Sequence, residues 1–236
     1  MKAKQAILFD LDGTLLPMDQ EQFTKGYFKL LAAKMAPYGY DPEMLISALW
    51  KGVEVMVKND GTVPNSQRFW QVFCAAMDRD CRADEPVLDS FYRQEFHQAK
   101  AFTRPTPISR KLVEVAREKA ERVILSTNPI FPRCGQQTRM SWVGLADTDF
   151  DWVTDYDNSG FCKPNPAYYQ DILCRFDLRP EDCLLIGNDM EEDRVPAESL
   201  GIQTFLITDC LINPQNRPVL APCGTAEEAL AFLKTL

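Results

Sequence analysis

The segment AILFDLDGT, residues 6–14, is the most informative part of this 236-residue chain for predicting its fold. Its first four residues are apolar and suit a short buried strand, which the turn-forming pair Asp12-Gly13 ends. Two carboxylates two residues apart, Asp10 and Asp12, follow that strand in a turn where glycine permits a tight backbone. One of them can attack a substrate while the other moves a proton, and an Asx turn is the alternative explanation.

Similar apolar runs recur along the chain, so five short strands are predicted. They are residues 6–9, 122–126, 151–154, 183–186 and 203–207. From residue 106 onward, the intervening segments carry helical apolar stripes, and Thr225 with Glu228 forms a capping-box pattern for the last helix. Strands that alternate with amphipathic helices predict an α/β fold with a doubly wound parallel sheet. Its ligand site would lie beyond the carboxyl ends of the strands.

Residues 17–103 break this alternation, because they contain at least four helical stripes and no convincing strand. The stripes are Phe23/Tyr27/Leu30/Leu31, Ile46/Trp50/Val53/Val57, Phe69/Phe73/Ala76 and Leu88/Phe91/Tyr92. We therefore predict an all-helical insert between the first and second strands, placed to act as a lid. The chain then divides into a core of residues 1–16 and 104–236 and an inserted domain of residues 17–103.

Composition excludes several classes of protein. With 45% hydrophobic and 25% charged residues, the chain has an ordinary globular composition and can bury a stable core. A net charge of -8 disfavours nucleic acid as a partner. The apolar runs are far shorter than the ~20 residues of a membrane-spanning helix, and no signal-peptide core follows Lys2 and Lys4. We expect a cytoplasmic protein without a membrane partner.

Cysteine, histidine and glycine patterns exclude further kinds of site. The eight cysteines form no C-x-x-C pair, so reduced thiols are expected rather than disulfides or a zinc site. His97 is the only histidine, which rules out an H-E-x-x-H site and favours a structural or surface role. The sequence contains neither G-x-G-x-x-G nor Gly-Lys-Ser/Thr, so dinucleotide and Walker-type sites are excluded.

Two polar segments can bind an anion. Ser126-Thr127-Asn128 follows the second predicted strand and offers a hydroxyl and a backbone amide. Lys163-Pro164 precedes a predicted helix, where a lysine can neutralise a phosphate as a point charge. Each segment alone is weak, since such residues are ordinary at strand ends and on surfaces.

A third segment is acidic. Gly187-Asn188-Asp189 follows the fourth predicted strand, and Asp193 lies four residues beyond Asp189. Together with Asp10 and Asp12, these side chains concentrate negative charge that a bound cation would offset. Oxygen-only ligands indicate a hard cation, and Mg²⁺ is the best match.

The ordered set of segments resembles the four motifs of the haloacid dehalogenase (HAD) superfamily of hydrolases. These are D-x-D-G-T, a strand ending in Thr-Asn, Lys-Pro, and G-N-D-x-x-x-D. The resemblance covers nearly the whole chain. It implies a HAD-like Rossmannoid sheet with strand order 5-4-1-2-3 and a mobile cap inserted after the first motif, which is the position of the predicted helical insert.

The resemblance also implies roles for particular residues. Asp10 would attack phosphorus and form an aspartyl phosphate, while Asp12 would protonate the leaving oxygen and later activate water. Thr127 and Lys163, assisted by the backbone amide of Asn128, would bind the transferring phosphoryl group.

For the metal, the resemblance implies Mg²⁺ bound by a carboxylate oxygen of Asp10, the main-chain carbonyl of Asp12 and an acid of the last motif. Many family members have Gly-Asp where this chain has Gly-Asn. We assign Asp189 as the metal ligand, with Asn188 and Asp193 supporting it, and direct contact by Asn188 is the alternative.

Asp12 separates the chemistries of the family, because an alkoxide leaving group must be protonated whereas a halide need not be. The predicted function is therefore Mg²⁺-dependent hydrolysis of a small-molecule phosphate monoester. A sugar-phosphate mutase, which keeps all four motifs and excludes water, is the enzymatic alternative. A non-catalytic phosphate-binding protein is a third possibility. The sequence does not specify the substrate, the cap residues that contact it or the oligomeric state.

Overall fold

The computed structural model of the chain describes residues 2–220 and 222–236. At its centre is a parallel sheet of six strands in the order β3-β2-β1-β4-β5-β6. The strands are β1 (Lys4–Phe9), β2 (Ala120–Leu125), β3 (Trp152–Val153), β4 (Cys183–Gly187), β5 (Gln203–Ile207) and β6 (Cys223–Gly224). The five predicted strands are all present and, listed from β5, keep the predicted order. That order is incomplete, because β6, only two residues long and too short to show a periodic pattern, extends the sheet beyond β5.

The register of the central strand brings the polar segments together. Phe9, the last residue of β1, pairs with Leu125 of β2 and with Ile186 of β4. Asp10 and Ser126 therefore leave the sheet at the same level, beside the end of β4. Because the strands are parallel, their following turns share one edge of the sheet.

Side chains of β1 alternate between two cores, as expected for a sheet covered on both faces. The helices around the sheet are α5 (Ile108–Lys119), α6 (Arg133–Trp142), α7 (Pro166–Phe176), α8 (Val195–Ser199) and α9 (Ala226–Thr235). Ile7 and Phe9 pack in the cluster that includes α5, α6 and α9. Ala6 and Leu8 pack in a second cluster with α7 and α8. The doubly wound arrangement is thus confirmed.

Residues 17–103 contain helices and no strand, and the structure describes every one of them. The four α-helices are α1 (Gln20–Met35), α2 (Pro42–Val57), α3 (Asn65–Ala76) and α4 (Glu85–Arg93), the last followed by a 3₁₀ segment, Glu95–Phe102. Among the described residues, no helix combines the length and the hydropathy needed to cross a membrane.

The predicted apolar stripe of α2 does not contain the residues of that helix that are most buried. The sequence pattern selected Ile46, Trp50, Val53 and Val57, but Trp50 is 52% exposed. The residues of α2 that are buried are Leu45, Ala48, Leu49, Gly52 and Met56. Because α2 carries apolar residues on most of its surface, helical period alone does not identify the side that packs against the core.

The two linkers of the insert run side by side. The N–H of Arg104 donates to the carbonyl of Pro17 at 2.7 Å, and Met18 bridges Thr103. Apolar residues of the insert belong to the same cluster as Ile7 and Phe9 of the sheet. The insert is therefore packed continuously onto the sheet, and its division from the core at residues 16/17 and 103/104 stays a prediction.

His97 and the cysteines were predicted to have structural roles. His97 is exposed, and its Nδ1 accepts a hydrogen bond from Trp142 Nε1 at 3.2 Å, which is a structural contact at the surface. All eight cysteines are free thiols, and Cys174 is exposed rather than packed as a small apolar residue.

Candidate active site

Lys163 lies at the centre of the polar edge, with 1% of its side chain exposed. Its Nζ donates to Oδ1 of Asp10 at 2.8 Å and to Oδ1 of Asp193 at 2.6 Å. Burial opposes the ammonium charge, but the two carboxylates raise the pKa of Lys163 well above its ordinary value. One charged lysine thus joins the first and last of the four polar segments.

Asp10 follows β1 directly and is 7% exposed. Its backbone N–H donates to the carbonyl of Ile186 at 3.0 Å, which continues the sheet pairing by one residue. Burial raises the pKa of Asp10 to about 7, although Lys163 acts to lower it. The carboxylate is therefore held in place from one side while its residue lines a cavity.

Asp12 is paired with a residue that the sequence analysis missed. The Nη1 of Arg139, on α6, donates to Oδ2 of Asp12. Arg139 is 1% exposed, and its guanidinium carbon lies 4.0 Å from the ring centroid of Phe131. Burial raises the pKa of Asp12, and Arg139 partly offsets that effect. The other carboxylate oxygen of Asp12 is buried and has no hydrogen-bond partner among the described residues.

The turn of the first motif fits closely against the last motif. Gly13 has a φ of +94°, and a Cβ there would lie 2.3 Å from Nδ2 of Asn188. Thr14 Oγ1 donates to Oδ1 of Asn188 at 2.8 Å, and Asn188 Nδ2 donates to the carbonyl of Cys210 at 2.8 Å. Glycine is thus required here by both conformation and space, and the side chain of Asn188 is committed to bracing the turn.

The two carboxylates of the last motif differ in how fully they are bonded. Asp193 accepts the backbone N–H groups of Asn188 and Asp189, both at 3.0 Å on Oδ2, in addition to the lysine on Oδ1. Asp189 accepts two N–H groups on Oδ1 alone, and Oδ2 has no hydrogen bond among the described residues. Of the two, Asp189 is the one with an oxygen left to bind a ligand.

Thr127 is buried at the end of β2 and lines the cavity. Its carbonyl accepts hydrogen bonds from Thr154 Oγ1 at 2.6 Å and from the hydroxyl of Tyr168 at 3.0 Å. These bonds fix the backbone of Thr127.

Asn128 leads to a second residue that the sequence analysis missed. Its Nδ2 donates to Oε2 of Glu192 at 3.0 Å, and its Oδ1 accepts the backbone N–H of Lys163 at 3.3 Å. Burial raises the pKa of Glu192 to about 8. The sequence offered one signal for Glu192: it lies between Asp189 and Asp193, just after β4.

A cavity of about 210 Å³ opens over this edge. We call its polar end the floor, which consists of Asp10, Asp12, Thr127, Asn128, Asn188, Asp189, Glu192 and Asp193. Lys163 does not line the cavity, but its ammonium is bonded to Asp10 and Asp193 of the floor. Every predicted site residue is therefore either on the floor or bonded directly to it.

We call the other end of the cavity the walls. They are formed mainly by apolar residues of the insert and of the loop after β2: Phe23, Tyr27, Phe28, Leu31, Leu45, Leu49, Trp50, Val53, Phe69, Trp70, Phe73, Leu88, Tyr92, Ile130, Phe131 and Tyr156. Four polar residues of the insert, Gln20, Thr24, Glu85 and Asp89, also line the cavity. The hydroxyls of Tyr27 and Tyr92 bond to each other at 2.7 Å.

The insert also has a polar loop, residues 58–65, which does not line the cavity. Asn65, which is fully buried, donates to the carbonyl of Pro129 and to the sulfur of Cys162, both at 3.2 Å. Asn59 Nδ2 in turn donates to Oδ1 of Asn65 at 2.9 Å. This loop attaches the insert to the loops that carry Asn128 and Lys163.

A metal ion at the floor would have a small protein ligand set. In residues 2–220 and 222–236, no group of three or more His, Cys, Asp or Glu side chains is arranged to hold a metal. The predicted set has two such side chains, Asp10 and Asp189, plus the carbonyl of Asp12. All three ligands are oxygen, which fits Mg²⁺, an ion that usually keeps several waters and binds one or two carboxylates.

A family model matches most of the chain. It is the model of the haloacid dehalogenase-like hydrolases, and it matches residues 4–201, which include the insert.

Two relatives of established function are similar over nearly their full length. A ribulose-1,5-bisphosphate 5-phosphatase of Halopiger xanaduensis is 23% identical over 205 residues, covering 85% of this chain and 83% of the relative. A glyceraldehyde 3-phosphate phosphatase of Methanothermobacter thermautotrophicus is 24% identical over 206 residues, covering 86% and 85%.

Solved structures share the fold. A HAD hydrolase of Bacillus subtilis, YfnB, solved with bound magnesium, superposes with a TM-score of 0.61 at 16% identity. The superposition covers 99% of this chain and 100% of that one. At this identity the likeness establishes the fold alone.

Proposed function

Because the chain belongs to the haloacid dehalogenase-like hydrolases, we propose that it is a Mg²⁺-dependent phosphatase acting on a small-molecule phosphate monoester. The observation that carries the proposal is the ammonium of Lys163, bonded to both Asp10 and Asp193 beneath a cavity that also contains Asp12. The two relatives named as phosphatases of small phosphorylated sugars support the reaction class.

Asp10 is the proposed nucleophile. A carboxylate oxygen of Asp10 attacks phosphorus, an aspartyl phosphate forms, and the bond from phosphorus to the ester oxygen breaks. Lys163 keeps one oxygen of Asp10 fixed at 2.8 Å, which reduces the motion that the attack requires. Asp193 holds the lysine in turn and is proposed as a supporting residue.

Asp12 is the proposed acid and base. It gives a proton to the departing alkoxide, then accepts one from the water that attacks the aspartyl phosphate, which regenerates Asp10 and releases inorganic phosphate. Burial raises the pKa of Asp12, which favours the protonated form needed first. Arg139 holds Oδ2, and we propose that it positions the side chain for both transfers.

Thr127, Asn128 and Lys163 are proposed to bind the transferring phosphoryl oxygens. An ammonium has three donors, and two of those on Lys163 are used by Asp10 and Asp193, so one is left for phosphate. Thr127 lies on the floor with its backbone fixed. A low-dielectric floor strengthens each of these contacts as negative charge builds up on the equatorial oxygens.

The proposed Mg²⁺ ligands are Asp10, the carbonyl of Asp12 and Asp189, with Asn188 as a brace. The floor also contains Glu192 and Asp193, so several carboxylates share the single cation of Lys163. When bound, Mg²⁺ would offset the repulsion between carboxylate and phosphate and stabilise charge on the phosphoryl group.

The test is release of inorganic phosphate from acetyl phosphate with and without Mg²⁺. We expect turnover that EDTA removes and that Mg²⁺ restores. After rapid acid quench, peptide mapping should find one phosphoryl group on the peptide containing Asp10. Asp10→Asn should show neither turnover nor the phosphopeptide.

The same assay, repeated with a sugar phosphate as substrate, separates the phosphatase from the two alternatives. Isomerised sugar phosphate without release of inorganic phosphate would indicate a mutase. Binding of phosphate without turnover of any substrate would contradict the proposal and favour a binding protein.

A further inference from the structure

The walls and the floor of the cavity differ in charge. Among the described residues, no lysine, arginine or histidine lines the cavity. Two acids, Glu85 and Asp89 of α4, line it in addition to the acids of the floor. The cations of the insert are used elsewhere; Arg68, for example, bonds to Asp60 at 3.2 Å in the exposed loop.

This charge distribution is unsuitable for a second anionic group on the substrate. A second phosphate or a carboxylate would lie near Glu85, Asp89 and the floor acids, and no cation that lines the cavity would pair with it. Removing such a group from water without a compensating cation is unfavourable. The walls therefore select against bisphosphates and phosphorylated acids.

The walls are suitable for an apolar group instead. Phe69 and Phe73 stack with ring centroids 5.2 Å apart, and Trp70 packs edge-on against Phe73 at 5.8 Å. The Nε1 of Trp70 is buried and has no hydrogen-bond partner among the described residues. Trp70 itself is 3% exposed, so it belongs to the packed aromatic wall and offers no accessible polar atom to the cavity.

The volume of the cavity also limits the size of the substrate. The cavity holds about 210 Å³, and a protein cavity of about 150 Å³ is enough for one benzene molecule. Once the phosphoryl group is on the floor, the remaining space suits one ring or a short branched chain. A nucleoside or a long lipid would have to extend out of the cavity.

We infer that the substrate is the monophosphate ester of a small, uncharged, apolar alcohol of about the size of one aromatic ring. This inference rests on the proposed phosphatase function and specifies its substrate class. It differs from the substrates named for the two relatives, which are polar phosphorylated sugars.

The experiment compares kcat/KM for 2-phenylethyl phosphate, glycerol 3-phosphate and ribulose 1,5-bisphosphate, with Mg²⁺ present. The first two are esters of unactivated primary alcohols, so their leaving groups differ mainly in polarity. Burial of a phenyl ring should favour 2-phenylethyl phosphate by about 10- to 100-fold over each of the others. Equal or faster turnover of glycerol 3-phosphate or of the bisphosphate would overturn the inference.

A matched pair of variants tests whether the walls cause the preference. Trp50→Arg places a cation at a half-exposed wall position of α2, whereas Met44→Arg makes the same kind of change at a 51% exposed residue of α2 that does not line the cavity. Trp50→Arg should lower the ratio of kcat/KM for 2-phenylethyl phosphate to that for glycerol 3-phosphate by about tenfold. Met44→Arg should leave the ratio unchanged. Because a ratio is measured, partial loss of folded protein cancels.

Acetyl phosphate separates the two levels of failure, since its small leaving group makes little demand on the walls. Turnover of acetyl phosphate without the preference, or an unchanged ratio in Trp50→Arg, would overturn the substrate class and leave the phosphatase function standing. Absence of turnover with all four compounds would overturn both.

Discussion

The floor and the walls of the cavity are built on opposite principles. On the floor, the carboxylates of Asp10 and Asp193 share one buried ammonium, and their remaining oxygens are fixed by backbone N–H groups or face the cavity. In the walls, aromatic rings pack against one another, and apolar residues outnumber the polar ones. Loss of Lys163 leaves two buried carboxylates without a cation, whereas loss of one aromatic wall residue removes only contact area.

This difference predicts how substitutions in the two regions should behave. Floor residues depend on one another, so their effects should be large and not additive. Wall residues should alter substrate preference by smaller factors that are closer to additive. The largest effect is expected for substitution of Asp10 and the smallest for substitution of Asn65.

Asp10→Asn should lower kcat by about 10⁴- to 10⁶-fold, because the amide is not a nucleophile at phosphorus. The fold should persist, since Lys163 still pairs with Asp193. Steady-state phosphate release together with circular dichroism measures both. Asp171→Asn, a change at a half-exposed residue of α7 that does not line the cavity, is the control and should retain full activity. Residual turnover within tenfold of wild type would show that Asp10 does not attack.

Lys163→Met should destabilise the metal-free protein by about 3–5 kcal/mol, because it leaves the carboxylates of Asp10 and Asp193 buried without a cation. Urea denaturation measures the free energy of unfolding. Lys25→Met, which breaks an exposed pair with Glu21, should cause no measurable change.

The loss caused by Lys163→Met should depend on pH. Burial already raises the pKa of Asp10 to about 7 from 3.8, and removal of the ammonium raises it further. Asp10 then has a higher pKa in the folded state than in the unfolded state. As the pH rises from the unfolded pKa through the folded pKa, such an acid lowers the free energy of unfolding. The variant should therefore be closer to wild type at pH 5 than at pH 8. A deficit that grows on acidification would contradict this account.

Arg139→Met should lower kcat by about 10²-fold, the usual cost of a misplaced proton-transfer group, with a smaller change in KM. Arg139→Lys keeps a cation beside Asp12 and should recover part of the loss. If Arg139 only stabilises the fold, both variants should lower the midpoint of denaturation and leave kcat per folded molecule unchanged.

Most of the fold was predictable because its signals are local. Each of the five predicted strands contains a short apolar run, and the turn after β1 is marked by Asp12-Gly13. The errors came where local sequence is ambiguous. β6 has two residues, and α2 carries apolar side chains on several sides, so only tertiary packing shows that Leu45 is buried and that Trp50 is half-exposed.

The candidate site was predictable only where an ordered motif marked it. Asp10, Asp12 and Lys163 each stand beside a strand or helix boundary, and parallel strands bring such boundaries together. Arg139 lies in the middle of α6, where an arginine is normally solvated, so its burial against Asp12 depends on how α6 packs. Glu192 lies in an acidic turn, and the sequence alone does not show which acids turn inward.

Asn65 gives the smallest expected effect and tests where the floor ends. The polar loop of the insert has residues suited to binding phosphate, yet Asn65 bonds instead to Pro129, Cys162 and Asn59. Asn65→Ala should reduce the free energy of unfolding by about 1–3 kcal/mol, because it leaves the buried partners of Asn65 without their bonds. The KM for acetyl phosphate should change by less than about threefold, since only contacts away from the reacting group are lost.

Thr62→Ala, at the exposed tip of the same loop, is the matched control and should change neither quantity. A rise of tenfold or more in KM for Asn65→Ala, with stability unchanged, would place this loop in the phosphate site and extend the floor into the insert. Loss of stability without a change in KM would instead limit the insert's polar contacts to attachment, and leave its apolar walls as the part that faces the substrate.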